Sequence, residues 1–228
     1  MSQNTSDVNS ARAYAALRAR YPTWESLASA RTADVVRVIR SGGLANTKAP
    51  RILAVLREIR EREGGFDLSW MHRASDREIA EYLTSLPGVG PKSAAVVLAF
   101  SLGRPTLPVD THVYRVAGRL GLVPAGTTAV RAQVLLERLV PPPLRIPMHV
   151  GLIRHGRKIC RAGRPRCEDC PLQDLCPSAQ FFLASPQGHR NLQESRMIAK
   201  GGASSGSIPV EGHTVPARNR RARGGGSS

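Results

Sequence analysis

The stretch Leu86-Pro-Gly-Val-Gly-Pro-Lys92 decides the fold of this chain, because it joins two predicted helices by a tight, glycine-rich turn. Gly88 and Gly90 can adopt positive φ and let backbone N–H groups approach an anion, and the positive end of the following helix dipole adds to this attraction. The stretch therefore predicts phosphate binding by Gly88, Val89 and Gly90. A plain helix–turn–helix connection explains the same pattern equally well.

Lys92 stands in the first turn of the second helix, where the helix dipole disfavours a positive charge. The same effect favours the neutral amine, which is a nucleophile able to form a Schiff base with an aldehyde-like carbon. Position and chemistry therefore agree on a catalytic role for Lys92. A lysine that reaches a phosphate or solvent is the commoner case, and the helix context alone does not exclude it.

Another predicted helix begins at the stretch Pro108-Val-Asp-Thr-His112, in which Asp110 stands eighteen residues after Lys92. Asp110 is well placed as the N-cap of this helix. A carboxylate at a helix start can also face a cleft, stabilise positive charge on a sugar and transfer protons, and the two roles can coexist. His112 could contact a phosphate, although a capping and packing role is favoured.

Apolar residues recur at helical spacing from Asp7 to about Ile159, as in Ile52, Val55, Leu56 and Ile59. Strand-like alternation of apolar and polar residues is nearly absent. The chain is therefore predicted to be all-α.

Local signals predict where several of these helices begin. Ser75-Asp-Arg-Glu78 has the pattern of a capping box, and Thr32, Asn46 and Thr128 are possible N-caps. The segment Ala94 to Leu102 is apolar around nearly its whole circumference, so it is predicted to be a central helix that its neighbours bury.

These patterns divide the chain into two helical domains and a tail. The first domain, 1–104, contains the hairpin at about 75–103, and the second, 105–182, contains a cysteine-rich loop at 160–176. From 183 to 228 the composition changes to Gly, Ser, Arg and Pro without an apolar period, which predicts disorder.

Basic residues dominate the charge, which is +16 at pH 7. Residues 185–228 hold seven Lys/Arg and two acidic residues, a net +5, which leaves +11 on the rest of the chain. Such a charge favours a polyanionic partner, above all nucleic acid, with an anionic membrane surface as the second possibility. No run approaches the roughly 20 apolar residues of a membrane span, and no signal-peptide core begins the chain, so an intracellular protein is expected.

Four cysteines, Cys160, Cys167, Cys170 and Cys176, lie in one short stretch that is compact enough to wrap a metal centre. Four thiolates select zinc or an iron–sulfur cluster, and the spacing alone does not separate the two. Three arginines inside this loop predict that the metal shapes a surface for phosphates. They are Arg161, Arg164 and Arg166.

Taken together, the segments 86–98, 108–122 and 154–176 resemble the endonuclease III branch of the helix–hairpin–helix DNA glycosylases (HhH-GPD superfamily), in the family's order and at near-family separations. The segment 43–49 is also similar, and the resemblance covers roughly residues 2–180. It implies that the cysteines hold a 4Fe-4S cluster, and that Lys92 and Asp110 are the catalytic lysine and aspartate.

The resemblance also implies a reaction on double-stranded DNA. A damaged nucleotide, expected to be an oxidised pyrimidine, is flipped into a cleft between the two domains, and Lys92 attacks C1′ of its sugar with help from Asp110. The Schiff base then permits β-elimination at the abasic site. The alternatives are a non-catalytic or truncated DNA-binding module, and a glycosylase of the same superfamily for uracil, mismatched thymine or alkylated bases.

The start of the chain departs from the family pattern. The stretch around Gln3 resembles the motif whose glutamine fills the space left by the flipped nucleotide, which assigns Gln3 to DNA binding. In the family an apolar helix precedes this motif, so that helix is expected to be missing here. The protein is expected to act as a monomer and, if its source is bacterial, to be cytoplasmic and associated with the nucleoid.

Overall fold

A computed structural model describes residues 7–184, and this part of the chain contains helices and no strand. The all-α prediction is therefore confirmed. The α-helices are α1 (Asp7–Arg20), α2 (Trp24–Ala28), α3 (Thr32–Val38), α4 (Ala45–Glu63), α5 (Asp76–Ser85), α6 (Pro91–Phe100), α7 (Thr111–Arg119), α8 (Ala129–Leu139), α9 (Arg145–Lys158) and α10 (Ala179–Leu183). None of these helices is long and apolar enough to cross a membrane. Gln3 and residues 185–228 lie outside the described residues, whereas Leu183, which was assigned to the predicted tail at 183–228, ends α10.

Side-chain hydrogen bonds confirm two of the predicted helix starts. Ser75 Oγ accepts a hydrogen bond from the Glu78 N–H, while the Glu78 carboxylate accepts one from the Ser75 N–H, so the capping box is complete at the start of α5. Thr128 caps α8 by accepting a hydrogen bond from the Arg131 N–H. Each cap satisfies N–H groups that have no partner inside the helix.

Two other predicted N-caps, Thr32 and Asn46, are wrong. α3 begins at Thr32 itself, so the N-cap position falls on Arg31. α4 begins at Ala45 and already contains Asn46, and its N-cap position is Leu44 in the left-handed conformation. The turn before α4 is fixed in another way. The Lys48 amino group is buried and donates a hydrogen bond of 2.8 Å to the Gly42 carbonyl. The Lys48 side chain thus fixes the turn before α4, although it does not cap the N–H groups at the start of the helix.

Buried apolar side chains form three clusters. One joins α1 to α4, the second joins α4, α5 and α6, and the third joins α7, α8 and α9. The first two clusters contain no member beyond Leu102, and the third begins at Leu107. The expected domain division after residue 104 falls in this interval and remains a prediction.

α6 is buried on one side, so the predicted burial of the helix at 94–102 is only partly correct. Ala94, Ala95, Leu98 and Ala99 are buried, but Phe100 is 53% exposed and ends the helix. The apolar circumference was misleading because α6 belongs to the second cluster alone, which leaves another side of this short helix uncovered. Lys92 at the start of α6 and Phe100 at its end are both exposed.

The segment 104–110 connects α6 to α7, and we call it the linking segment. It has no regular structure of its own, yet hydrogen bonds from both halves of the fold hold it in place. They join Arg104 to the Ala74 carbonyl (3.1 Å), Arg145 to the Pro105 carbonyl (2.7 Å), Thr106 Oγ1 to the Ala95 carbonyl (3.0 Å), the Leu107 N–H to Glu137 (2.9 Å) and His149 Nδ1 to the Pro108 carbonyl (2.7 Å). The chain therefore enters α7 along a fixed path.

α7 and α9 approach each other closely at Gly156, which predicts a large effect of adding one methyl group there. A Cβ on Gly156 would lie 3.1 Å from the Cβ of His112 and 3.2 Å from Nη2 of Arg115. We expect Gly156→Ala to lower the free energy of unfolding by about 1 to 3 kcal/mol, as overpacking does. Thermal unfolding followed by circular dichroism measures this change.

Gly151 on the same helix is the matched control. A Cβ on Gly151 would meet nothing within 4 Å, so Gly151→Ala is expected to stabilise α9 by roughly 0.4 to 1 kcal/mol. Equal Tm values for the two variants would contradict the close approach at Gly156.

Candidate active site and metal centre

The hairpin turn presents backbone N–H groups at the start of α6. Gly88 has a φ of 73°, which glycine adopts without strain, and Gly90 occupies the N-cap position. In the described part of the chain the N–H groups of Gly88 and Gly90 donate to no protein acceptor. The Val89 N–H, by contrast, donates to the Leu86 carbonyl at 3.2 Å. Two of the three predicted hairpin residues therefore offer a free donor, whereas the turn itself uses the donor of Val89.

Arg51 lies across this turn and was missed by the sequence analysis. A Cβ on Gly88 would lie 3.3 Å from Cδ of Arg51, so the side-chain stem of Arg51 passes directly over the glycine. Arg51 is exposed, and among the residues that the structure describes it forms no ion pair with a carboxylate. An unpaired guanidinium thus stands beside the free N–H groups, where it adds a charge for binding a phosphate.

Arg51→Gln is expected to weaken DNA binding and to lower the slope of log K against log salt concentration by about 1, since one phosphate contact would be lost. Fluorescence anisotropy at several salt concentrations measures the slope. Arg60→Gln is the matched control, because Arg60 is exposed on α4 nine residues later, on the opposite side of the helix. Equal slopes for the two variants would contradict a specific contact at the hairpin.

Lys92 lies where the sequence predicted it, in the first turn of α6 directly after Pro91. Proline suits the first helical position because its φ is already helical and no N–H is lost there. Lys92 is exposed, and no carboxylate among the described residues forms an ion pair with it. Its amino group is therefore available to an incoming molecule.

Asp110 caps α7, as predicted. Its Oδ1 atom accepts hydrogen bonds from the N–H groups of His112 (2.9 Å) and Val113 (2.8 Å). No donor in the described residues reaches the other carboxylate oxygen, Oδ2. The helix thus orients Asp110 through one oxygen and leaves the second oxygen available, so capping and a chemical role are compatible.

His149 on α9 is bonded to the linking segment at Pro108, two residues before Asp110, and was also missed by the sequence analysis. The side chain is buried, and burial lowers the pKa of His149. The hydrogen bond to the Pro108 carbonyl and the charge of Asp110 act in the opposite direction, whereas the charge of Lys92 lowers this pKa further. Lys92 and Asp110, which are eighteen residues apart in sequence, therefore act on the same imidazole ring.

His112 contacts protein groups. Arg115 Nη2 lies 3.1 Å from His112 Nδ1, and since a guanidinium can only donate, this ring nitrogen is the acceptor. Burial is the main cause that lowers the pKa of His112, so the ring is neutral. Arg115 also donates to the carbonyls of Gly156 (2.9 Å) and Cys160 (3.1 Å). The structure thus shows the packing role of His112, and a phosphate contact by His112 remains a prediction.

Cys160, Cys167, Cys170 and Cys176 line one cavity between α7, α9 and α10. No three metal-binding side chains among the described residues stand close enough to hold a single ion. Four thiols around one cavity are a ligand set that suits an iron–sulfur cluster or a structural zinc ion, and this geometry alone does not separate the two.

The electrostatics of the cavity also call for a cationic centre. Burial raises the pKa of the Cys167 thiol, and the three neighbouring cysteines raise it further, while Arg119 lowers it. Four thiolates would repel one another here without bound metal. Arg119 Nη1 donates to Cys160 Sγ at 3.3 Å and to the Arg161 carbonyl at 2.8 Å. This arginine therefore ties the end of α7 to the cysteine loop.

The three arginines of the cysteine loop are all exposed, but they differ in their partners. Arg166 forms an ion pair with Asp169 at 2.6 Å. The side chains of Arg161 and Arg164 form no ion pair with any described carboxylate. Arg161 and Arg164 are therefore better placed than Arg166 to contribute positive charge to a phosphate surface.

Leu44 is a further candidate without a signal in the sequence. Leu44 is the only non-glycine residue with a positive φ (51°) in the described part of the chain, and it is 52% exposed. This conformation costs a non-glycine residue roughly 1 to 2 kcal/mol, and such strain is concentrated at functional sites. Leu44 precedes α4, roughly 10 Å along the helix axis from Arg51. An exposed apolar side chain near the predicted phosphate-binding turn is of the kind that inserts between bases.

Comparison with known proteins agrees with this geometry. The family model of the HhH-GPD superfamily of base excision DNA repair proteins matches residues 1–142, and the iron–sulfur binding domain of endonuclease III matches residues 160–176. Endonuclease III of Thermotoga maritima is 36% identical over 195 residues, which is 85% of this chain and 85% of that protein. An Arabidopsis thaliana protein, named as a candidate DNA glycosylase, is 36% identical over 75% of this chain, which spans 62% of the plant protein.

A solved structure of a non-covalent endonuclease III–DNA complex has the same fold, with a TM-score of 0.71 and 28% identity over 81% of this chain and 82% of that one. The four cysteines fit the 4Fe-4S cluster that the iron–sulfur domain match assigns to this loop. Together with the hairpin, these matches show that the chain belongs to the HhH-GPD superfamily of base excision DNA repair proteins, in the endonuclease III-like group of DNA glycosylases with an iron–sulfur domain.

Proposed function

We propose that this protein removes an oxidised pyrimidine from double-stranded DNA and then cleaves the abasic site. The damaged nucleotide leaves the duplex and enters the cleft between the two helical domains, 1–104 and 105–182. The Lys92 nitrogen forms a bond to C1′ of the sugar as the bond from C1′ to the base breaks, and the base leaves with that electron pair. The ring bond from C1′ to O4′ then breaks, O4′ takes the electron pair and a proton, and the nitrogen forms a Schiff base with C1′. This Schiff base makes the 2′ proton acidic, so that its removal and elimination expel the 3′ phosphate.

Asp110 assists in two ways. The carboxylate removes a proton from the Lys92 ammonium, which makes the amine a nucleophile. Its negative charge also stabilises the positive charge that develops on the sugar as the base departs. The observation that carries this proposal is that Asp110 caps α7 through Oδ1 and keeps Oδ2 available, while Lys92 is exposed in the first turn of α6.

DNA binding is proposed to use the hairpin and the cysteine loop together. The free N–H groups of Gly88 and Gly90 and the guanidinium of Arg51 form one phosphate site, and Arg161 and Arg164 add a second basic surface. Phosphate contacts of this type position the protein on the duplex without reading its sequence. We further propose that the protein acts on chromosomal DNA as a monomer.

Cys160, Cys167, Cys170 and Cys176 are the residues that would hold the 4Fe-4S cluster. When bound, the cluster supplies a rigid anchor for the loop. Arg119 then fixes the loop against α7 through the Arg161 carbonyl (2.8 Å), and the guanidinium of Arg119 also stacks on Phe182 of α10 at 4.6 Å. Through these contacts the loop is expected to present its arginines to DNA in one orientation.

Borohydride trapping tests the proposed lyase step. Iron-loaded protein is incubated with a duplex that contains an aldehydic abasic site, and borohydride is expected to reduce the Schiff base to a stable protein–DNA adduct. A duplex with a tetrahydrofuran site, which has no aldehyde, is the matched control and should give no adduct. Absence of an adduct with the aldehydic site would overturn the proposed lyase and favour a non-catalytic DNA-binding module.

A panel of lesions tests the proposed substrate. Duplexes with thymine glycol, another oxidised pyrimidine, uracil, mismatched thymine or an alkylated base are compared by base release under single-turnover conditions. Oxidised pyrimidines are expected to be released at least about tenfold faster than the others, a difference of about 1.4 kcal/mol. If another base is released faster, the proposed preference for oxidised pyrimidines is wrong and that base is the preferred substrate.

A further inference from the structure

His149 is a buried side chain that contacts both the linking segment and α6. It belongs to α9, is 4% exposed, and lies with its ring centroid 5.6 Å from that of Phe100 at the end of α6. Its Nδ1 atom is 2.7 Å from the Pro108 carbonyl oxygen. A carbonyl can only accept, so Nδ1 carries the hydrogen of this bond. The imidazole therefore joins α9 to the linking segment two residues before Asp110, and it also contacts the helix that begins with Lys92.

The ring is neutral in this position. Burial is the largest influence on His149 and lowers its pKa, which keeps the second ring nitrogen unprotonated. A protonated ring would place a further positive charge near Lys92 and would compete with Lys92 for Asp110. The site thus contains a rigid hydrogen-bond donor that carries no charge.

We infer that His149 is a positioning residue for the proposed reaction: by donating Nδ1–H to the Pro108 carbonyl, it fixes the linking segment so that the Asp110 carboxylate faces Lys92. The inference rests on the proposed function and adds a residue to it. His149 itself exchanges no proton with the substrate, and its contribution is the geometry of the two groups that do.

The place of this bond in the linking segment distinguishes it from the others. Thr106 Oγ1 donates to the Ala95 carbonyl at 3.0 Å and is also buried, but it precedes Asp110 by four residues. Of the hydrogen bonds given above for the linking segment, the one from His149 to Pro108 lies nearest to Asp110 in the sequence. Loss of the His149 bond removes the donor to the Pro108 carbonyl next to Asp110, whereas the Ala95 carbonyl keeps its hydrogen bond within α6 when the Thr106 hydroxyl is lost. Each loss costs stability, but only loss of the His149 bond frees the residues next to Asp110.

Three variants separate positioning from stability. His149→Leu removes the donor, His149→Asn keeps an N–H close to the place of Nδ1, and Thr106→Val removes the other buried bond as a matched structural control. The readout is the single-turnover rate of borohydride trapping on abasic-site DNA, at a temperature at which circular dichroism shows every variant folded. Affinity for tetrahydrofuran-site DNA is measured alongside. If His149→Leu does not fold, His149→Gln replaces it, since its amide lies one methylene too far from the backbone.

His149→Leu is expected to slow trapping at least about 30-fold with less than about a threefold change in affinity, because a displacement of about 1 Å at a reacting group can cost 10²-fold. The trapping rate of His149→Asn is expected to lie within about threefold of the wild-type rate. Thr106→Val is expected to be less stable than the wild type, but its trapping rate should fall by less than about threefold. Equal loss of rate in His149→Leu and Thr106→Val, or no recovery in His149→Asn, would overturn the positioning role alone. Failure of the wild type to trap would overturn the proposed function, and this inference with it.

Discussion

Lys92→Gln is expected to abolish covalent trapping on abasic-site DNA, with a fall of at least about 10³-fold in rate, because an amide cannot form a Schiff base. The free energy of unfolding should change by no more than about 0.5 kcal/mol, since Lys92 is exposed and pairs with no described carboxylate. Affinity for tetrahydrofuran-site DNA should fall by less than about tenfold, the equivalent of about 1.4 kcal/mol. Gel analysis after borohydride treatment gives the rate, and anisotropy gives the affinity.

Lys158→Gln is the control for the loss of a positive charge. Lys158 is also exposed, but it ends α9, beside the cysteine loop. We expect this variant to trap at close to the wild-type rate. Trapping by Lys92→Gln at the wild-type rate would show that another amine is the nucleophile.

Asp110→Asn is expected to slow base release and trapping by roughly 10² to 10⁴-fold, the range typical of a lost acid–base group. Asparagine is itself a good N-cap, so its side-chain oxygen can still accept hydrogen bonds from His112 and Val113. The fold should therefore keep its stability while the site loses its negative charge. The measurements are the single-turnover rate and the Tm.

Asp110→Ala completes this comparison because it removes the cap as well as the charge. Its rate should match that of Asp110→Asn, but its stability should be lower by about 1 kcal/mol. If Asp110→Asn retains the wild-type rate while Asp110→Ala unfolds more easily, Asp110 serves as a cap and the proposed role in proton transfer is wrong.

Features encoded over a few residues were predictable from the sequence. The capping box at Ser75, the N-cap at Asp110 and the position of Lys92 in the first turn of a helix each depend on neighbours within four residues, and the structure shows all three. The helical period also predicted an all-α chain. The cysteine spacing did not by itself decide between zinc and iron, and the choice depended on the family resemblance.

Contacts between distant parts of the chain were not predictable. His149 is 41 residues from Pro108, and nothing in its helix marks it as different from a histidine buried in a core. Arg51 is one of many basic residues, and only the folded structure places it over Gly88. For the same reason the exposure of Phe100 was missed, since helical periodicity indicates an apolar side but not which neighbour covers it.

α7 links the cysteine loop to Asp110, so the iron content of a preparation should bear on its activity as well as on its purity. The nine residues of this helix span only about 13 Å, with Asp110 capping one end and Arg119 bonded to Cys160 at the other. If the loop needs iron to hold Arg119, chains without iron lose the support of the helix that orients the carboxylate. The molar ratio of iron to protein, divided by four, should then equal the fraction of molecules that can be trapped, so that metal analysis counts working active sites.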